Sequence, residues 1–117
     1  MKMKNILFLF AVLTSAVLVA QAPPQGINYQ AVARNASGAE LQNTPLTVRI
    51  GIYSDPSATV LAYEETHAVT TNAFGLFNAV IGQGTQTSAS AFNTILWANS
   101  AHYLKVEING GSGFTDM

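Results

Sequence analysis

The chain has 117 residues, of which 49% are hydrophobic and 9% are charged, and its formal net charge is -1 at pH 7. This composition excludes a disordered acidic or basic chain, because such chains combine few apolar residues with many like charges. The chain contains no cysteine, which excludes a disulfide framework and any thiolate metal site.

The N-terminus has the pattern of a secretory signal peptide. Two lysines among the first four residues precede a short apolar run that ends near Ala20. The run is short for a bilayer span and prolines follow it at once, which favours a cleaved leader over a membrane anchor. Because Pro23 would hinder cleavage after Ala22, we expect cleavage after Ala20. Residues 1–20 would then be the signal peptide and residues 21–26 a lead-in.

The chain that remains after cleavage is long enough for one domain with a modest core. Its basic residues are only Arg34, Arg49 and Lys105, against six acidic ones, so nucleic-acid binding has no electrostatic basis. We expect a secreted or cell-surface protein that binds no nucleic acid and does not contact the membrane once the leader has been removed.

Two strands are predicted in the first half of this domain. Residues 27–34 alternate well enough for a first strand, and residues 35–38 form a turn. The second strand, residues 46–53, has the clearest period-2 pattern. Its predicted inward residues are Leu46, Val48, Ile50 and Ile52. Asp55 and Pro56 then predict another turn.

Residues 69–82 predict a β-hairpin around which we expect the rest of the fold to be organised. Asn72 suits the first position of a type I turn, and Gly75 suits the fourth, where a positive φ costs glycine little. A third strand from about Val60 leads into this hairpin. The strand after the turn has apolar residues on both faces, which predicts a buried, central position in the sheet.

The C-terminal part predicts one short helix and one further strand. Phe92, Ile95 and Leu96 fall at helical spacing behind Ser90, a candidate N-cap, so a short helix or 3₁₀ turn should close one end of the sandwich. The last complete strand is residues 102–109, with these residues inward: Leu104, Val106 and Ile108.

Together these elements predict an all-β fold, an antiparallel Ig-like or prealbumin-like β-sandwich with one short helix, over residues 27–117. The residues after the turn at 110–113 are too few to pair with the whole preceding strand. Because sheets avoid unpaired edges, we expect the chain to be a fragment of a longer protein, truncated at the C-terminus.

Three segments resemble a known module: QGINYQAVAR at residues 25–34, YEETHAVTTNAFGLF at residues 63–77 and YLKVEI at residues 103–108. In this order they are similar to an N-terminal β-sandwich module of large exported surface proteins from Gram-negative bacteria that use type IX secretion. The resemblance implies a position directly after the leader and ahead of repetitive or fibre-like regions, and no activity is established for such modules. A looser similarity of residues 71–77 to prealbumin-like and carboxypeptidase-regulatory-like sandwiches supports the fold.

Few side chains offer catalytic or metal-binding chemistry. Tyr63, Glu65 and His67 alternate onto one face of a strand, and a metal site with His102 is geometrically allowed. We favour a half-exposed polar face on which Glu65 and His67 bond across the sheet. No serine stands in a nucleophile-elbow pattern, and no glycine-rich segment has the lysine of a phosphate loop. We therefore expect no enzyme activity, no cofactor and no metal.

Two functions are compatible with these observations. The first is a non-catalytic structural or interaction module of a longer fibre-type or adhesin-type protein, with other domains of that protein or surface proteins as partners. The alternative is a small ligand-binding or carbohydrate-binding sandwich, with a contact surface drawn from Tyr53, Tyr63, Glu65, His67, Phe74, Trp97 and Tyr103. A buried Trp97 favours the first, and a Trp97 exposed beside a second aromatic ring favours the second.

Overall fold

The computed structural model describes residues 25–117, so the predicted signal peptide and most of the lead-in lie outside the described residues. The described chain is all-β, as predicted. Its strands are β1 (Ile27–Val32), β2 (Pro45–Tyr53), β3 (Leu61–Thr70), β4 (Leu76–Ile81), β5 (Thr85–Gln86), β6 (Tyr103–Asn109) and β7 (Thr115–Asp116). A 3₁₀ helix at Phe92–Thr94 is the predicted short helix. None of the helical structure in this range is long and apolar enough to cross a membrane.

The strands form two antiparallel sheets that enclose one core. The larger sheet has the strand order β5-β3-β2-β6-β7, and the smaller sheet consists of β1 and β4. Every pairing within them is antiparallel. The inner face of the larger sheet and the inner face of β4 contribute to a single hydrophobic cluster, which is the arrangement of a β-sandwich.

The central strand β2 shows why this sequence forms a sandwich. Its four predicted inward residues are all buried, whereas Thr47 between them is exposed. From β4, Phe77, Ala79 and Ile81 meet them across the core. Each large apolar side chain removed from water in this way contributes about 1.5–3 kcal/mol.

The turn predicted at Asn72 and Gly75 is present. Gly75 donates its N–H to the Asn72 carbonyl at 3.0 Å, and the Asn72 side-chain oxygen accepts the N–H groups of Phe74 and Leu76 at 2.8 and 3.0 Å. Gly75 has a φ of +78°, a conformation that glycine adopts without the steric cost of a Cβ atom.

The hairpin predicted from this turn is wrong. β3 pairs with β2 and β5, whereas β4 pairs with β1, so the turn carries the chain from one sheet to the other. The prediction that β4 is a central, buried strand is also wrong. Its residues alternate between buried and exposed after the half-buried Leu76, because each sheet of a sandwich packs only one of its faces against the core.

Three smaller predictions need correction near the strand ends. The first strand ends at Val32, and Arg34 forms an isolated bridge with Glu40. The residue that caps the 3₁₀ helix is Ala91, without a side-chain hydrogen bond, so Ser90 is not the cap. Leu96 is exposed, because a helix of three residues ends before α-helical spacing applies.

β6 follows its predicted pattern in part. Val106 and Ile108 are buried, but Leu104 is 48% exposed. Leu104 lies opposite the buried Ile52 of β2 and therefore belongs to the core face of the sheet. The smaller sheet does not cover the core face of β6 at this level.

We expect Gly75→Val to destabilise the domain by about 1–3 kcal/mol, because a β-branched residue is strained at positive φ. A Cβ atom at this position would also lie 3.0 Å from the Ala33 carbonyl oxygen. Phe74→Ser should change the stability little, since the Phe74 side chain is 75% exposed at the turn. Thermal melts of both variants measure the difference, and a larger loss for Phe74→Ser would contradict this account of the turn.

Candidate functional site

The densest group of chemically capable side chains surrounds Glu65 on β3. The Glu65 side chain is fully buried, and Tyr63 and His67 flank it on the core face of the strand, as period-2 alternation predicts. The Tyr63 hydroxyl donates to Glu65 Oε2 at 2.7 Å. His67 Nε2 lies 2.7 Å from Glu65 Oε1.

Two backbone N–H groups complete the surroundings of this carboxylate. Gly82 N lies 2.9 and 3.1 Å from the two Glu65 oxygens, and Gly84 N lies 3.1 Å from Oε2. Donors of this kind compensate a buried carboxylate for the water it has lost. Gly82 follows β4 and Gly84 precedes β5, so Glu65 joins the larger sheet to the end of the smaller one.

The position of Gly84 requires a glycine. A Cβ atom there would lie 2.6 Å from His67 Nε2 and 2.7 Å from the Thr66 carbonyl oxygen. The backbone reaches the carboxylate only because no side chain stands in the way.

The hydrogen bonds fix the charge state of the group. Burial raises the pKa of the Glu65 carboxyl, but the hydrogen bonds from His67, Tyr63, Gly82 and Gly84 outweigh it, so the pKa lies below its ordinary value of 4.5. Burial, together with the hydrogen bond to Glu65, raises the pKa of the Tyr63 hydroxyl. At neutral pH the Glu65 carboxylate is therefore ionised and accepts a hydrogen bond from a Tyr63 phenol that keeps its proton.

The interpretation of Glu65 and His67 as part of a half-exposed polar face is wrong for Glu65. The hydrogen bond between them runs along β3 rather than across the sheet, since Glu65 lies opposite Ile50 and His67 opposite Val48. Sequence reasoning missed the donors Gly82 and Gly84, because a backbone N–H leaves no side-chain signature. Between residues 25 and 117 no group of three or more His, Cys, Asp or Glu side chains is placed to hold a metal ion.

A second candidate region is the aromatic surface around Trp97, which follows the 3₁₀ helix. Trp97 is 44% exposed. Its ring centroid lies 5.9 Å from that of Phe92 and 5.0 Å from that of His102, and Phe92 in turn packs edge-on against Tyr63 at 5.3 Å. The surface therefore rests on the core at one edge and meets solvent at the other.

A cavity of about 290 Å³ lies beside this surface. His102 contributes to its wall, together with Leu61, Thr94, Leu96 and Asn99. His102 Nδ1 lies 3.0 Å from the Ser100 carbonyl oxygen. Apolar and polar groups thus stand side by side at this end of the sandwich.

The predicted contact residues do not converge on one site. Tyr63, Glu65 and His67 lie on the core face of β3, and Phe74 lies at the turn beyond its far end.

The remaining predicted contact residues lie elsewhere. The Trp97 ring contacts Phe92, which in turn contacts Tyr63 near the start of β3. Tyr103 is partly exposed and lies opposite Tyr53, on the face of the larger sheet that points away from the core.

An ion pair on this outer face was not predicted. Arg49 Nε and Nη2 donate to the two oxygens of Glu107 at 3.0 and 2.8 Å, and the Phe114 ring centroid lies 3.9 Å from the Arg49 guanidinium carbon. The hydrogen bond from Arg49 lowers the pKa of the Glu107 carboxyl. The two residues lie directly opposite each other on β2 and β6, so the pair staples neighbouring strands.

Residues 28–117 match a family model described as "Domain of unknown function (DUF8740)". The chain belongs to this family. The matched range includes β2 to β7 and all of β1 except its first residue. No curated protein and no solved structure matches the chain.

We expect Glu65→Gln to destabilise the DUF8740 domain by about 2–3 kcal/mol, because an amide NH₂ would replace one acceptor that the surrounding N–H and O–H groups require. Chemical denaturation at neutral pH measures this loss. The matched control is Glu64→Gln, one residue away on the opposite face of β3, where the carboxylate accepts a single hydrogen bond from Thr87 Oγ1. Equal losses for the two variants would contradict the structural role of Glu65.

The same variant has a pH signature. Because the folded pKa of Glu65 is lowered, its stabilising contribution is present above about pH 4.5 and disappears as the pH falls through the folded pKa. The free energy of unfolding should therefore fall on acidification, and less steeply in Glu65→Gln. The dependence of the free energy of unfolding on pH that remains in the variant includes the contribution of Glu107, whose pKa is also lowered.

Proposed function

We propose that this domain is a non-catalytic structural or interaction module of a longer exported surface protein, of fibre or adhesin type. The observation that carries the proposal is that the Glu65 carboxylate is fully occupied by hydrogen bonds within the domain. The residues best suited to chemistry are Tyr63, Glu65 and His67. Tyr63 and Glu65 are buried, His67 is largely covered, and the Glu65 carboxylate is hydrogen-bonded to Tyr63, to His67 and to two backbone N–H groups. Glu65 connects the two sheets through Gly82, and its carboxylate is fully covered, which supports a structural role for the group.

The build of the domain supports the same role. Its stability comes from an apolar core, the Glu65 connection between the sheets and the Arg49–Glu107 staple, without any cysteine. Such a domain folds independently of the redox state outside the cell. The signal-peptide pattern at the N-terminus supports export, and other domains of the same protein or neighbouring surface proteins are the proposed partners.

We expect the exported protein to begin at Gln21, because Pro23 hinders the cut after Ala22. Intact-mass measurement of protein recovered from the cell surface identifies the terminus, and digestion of whole cells with an added protease reports exposure. A protein that retains its leader and stays with the membrane fraction after a carbonate wash would contradict the proposal.

A second function, binding of a carbohydrate, is favoured by one observation. Trp97 is half exposed, beside His102 and a cavity with polar walls. A partly exposed aromatic ring flanked by hydrogen-bonding groups is suited to stack on the apolar face of a sugar.

A glycan array tests this second function. If it holds, the domain binds a defined set of glycans and Trp97→Ala abolishes that binding. Phe74→Ala is the matched control, because Phe74 is an exposed aromatic residue at the far end of β3 and should leave binding unchanged. Melting curves of both variants separate loss of binding from loss of fold, and an array without any bound glycan would leave the structural role as the proposal.

A further inference from the structure

The smaller sheet has one open edge, formed by β1. On one side β1 pairs with β4 in an unbroken register from Ile27 opposite Ile81 to Val32 opposite Leu76. On its other side no strand of the described chain pairs with it. The backbone groups on that side are therefore available to a further strand.

The backbone hydrogen bonds identify which groups these are. Ala33 donates its N–H to the Gly75 carbonyl at 2.8 Å, so at this residue the N–H is directed towards the β4 side. Because the direction alternates along a strand, the N–H and C=O groups of Asn28, Gln30 and Val32 point away from β4. Within residues 25–117 these groups have no hydrogen-bond partner.

The other edges of the sandwich are partly closed or only two residues long. On β4, the outward N–H and C=O of Leu76 bond to Asn72, and the Val80 carbonyl accepts the Gln83 N–H. The edge strands β5 and β7 have only two residues each, and β7 carries Asp116. In contrast, β1 presents six residues without a charge or a proline, although charges, prolines and short length are what normally protect an edge from pairing.

Core-facing residues on β1 and on β6 are incompletely covered. Ile27 lies opposite the buried Ile81 and Leu104 opposite the buried Ile52, yet Ile27 is 47% and Leu104 48% exposed. Further along, a cavity of about 560 Å³ separates the residues after β1 from β6 and β7, with Leu41 and Ile108 in its walls. One extended segment along β1 would cover these apolar surfaces with alternate side chains.

We propose that the open edge of β1 is a binding site for an extended strand of a separate polypeptide, with apolar side chains at alternate positions facing the core. The added strand would pair with Asn28, Gln30 and Val32 through its backbone, which is recognition by β-augmentation. A strand without charged residues suits the uncharged edge. This inference rests on the proposed role as an interaction module and names the surface that performs it.

A second copy of this chain fits the edge less well than a single strand. Pairing of β1 with β1 of another copy would bring the larger sheet of that copy to the same side of the joined strands. Its β6 and β7 would then stand against those of the first copy, since β6 and β7 lie across a cavity from the residues that follow β1. A single extended segment that carries no second domain beside it avoids this conflict.

The test uses the purified chain and a capped peptide of alternating valine and threonine, roughly seven residues long to match the length of β1. We expect the peptide to bind and to slow hydrogen exchange at the amides of Asn28, Gln30 and Val32. The same peptide with alternate backbone nitrogens methylated should not bind. These amides report pairing at the edge directly, since a general increase in stability would slow the β1 amides that face β4 as well.

A pair of variants on opposite strands sharpens the test. Gln30→Pro removes an outward N–H without removing a bond to β4 and should weaken peptide binding about tenfold or more. Asn78→Pro is the matched control, because Asn78 lies directly opposite Gln30 and its N–H points to the other edge, so binding should be retained. Gln30→Lys replaces the proline variant if that variant does not fold, since an edge lysine also opposes pairing.

Three results would overturn the proposal: absence of peptide binding, equal binding by the Gln30 and Asn78 variants, or self-association of the chain that Gln30→Lys abolishes. The last would identify a second copy as the occupant. Surface exposure on cells is measured separately, so failure of the peptide test leaves the proposed export and surface role standing, and failure of export leaves the edge site standing.

Discussion

The sandwich depends on the buried carboxylate of Glu65. β3 and β4 belong to different sheets, and the turn between them gives no strand pairing that would hold the sheets together. Glu65 supplies a polar connection by accepting the Gly82 and Gly84 N–H groups from the far end of β4. A charge this deep is tolerated only because its oxygens are hydrogen-bonded, so the loop after β4 has to keep its position for as long as the carboxylate is ionised.

The local parts of the fold could be predicted from the sequence, because their signals are local. The alternation of β2 and the side-chain cap of Asn72 are properties of neighbouring residues, and both are present. The partner of β4 could not be predicted, because Phe77 and Ile81 fit equally well beside β3 or beside β1. A turn fixes where the chain reverses, whereas pairing is decided by the burial of distant surfaces.

For the candidate site, too, the local arrangement could be predicted and the burial could not. Period-2 spacing placed Tyr63, Glu65 and His67 on one face, and the structure brings them into contact. The burial of Glu65 was not predictable, since it depends on two glycine N–H groups about twenty residues further along. Trp97 discriminates between the two functions, but its exposure depends on how its ring packs against Phe92 and His102, which no spacing rule specifies.

The two sheets are unequal, and this inequality links the stability of the domain to its interactions. A five-stranded sheet offers more apolar inner surface than two strands can cover, so Leu104 stays half exposed although it faces the core. Ile27, at the start of β1, is half exposed as well. Covering them with further strands of the same domain would remove the exposure and also the open edge of β1. The sequence instead leaves β1 without charge or proline, a combination that costs solubility in an isolated domain. Such an edge is consistent with a module that reaches its full stability only beside another polypeptide.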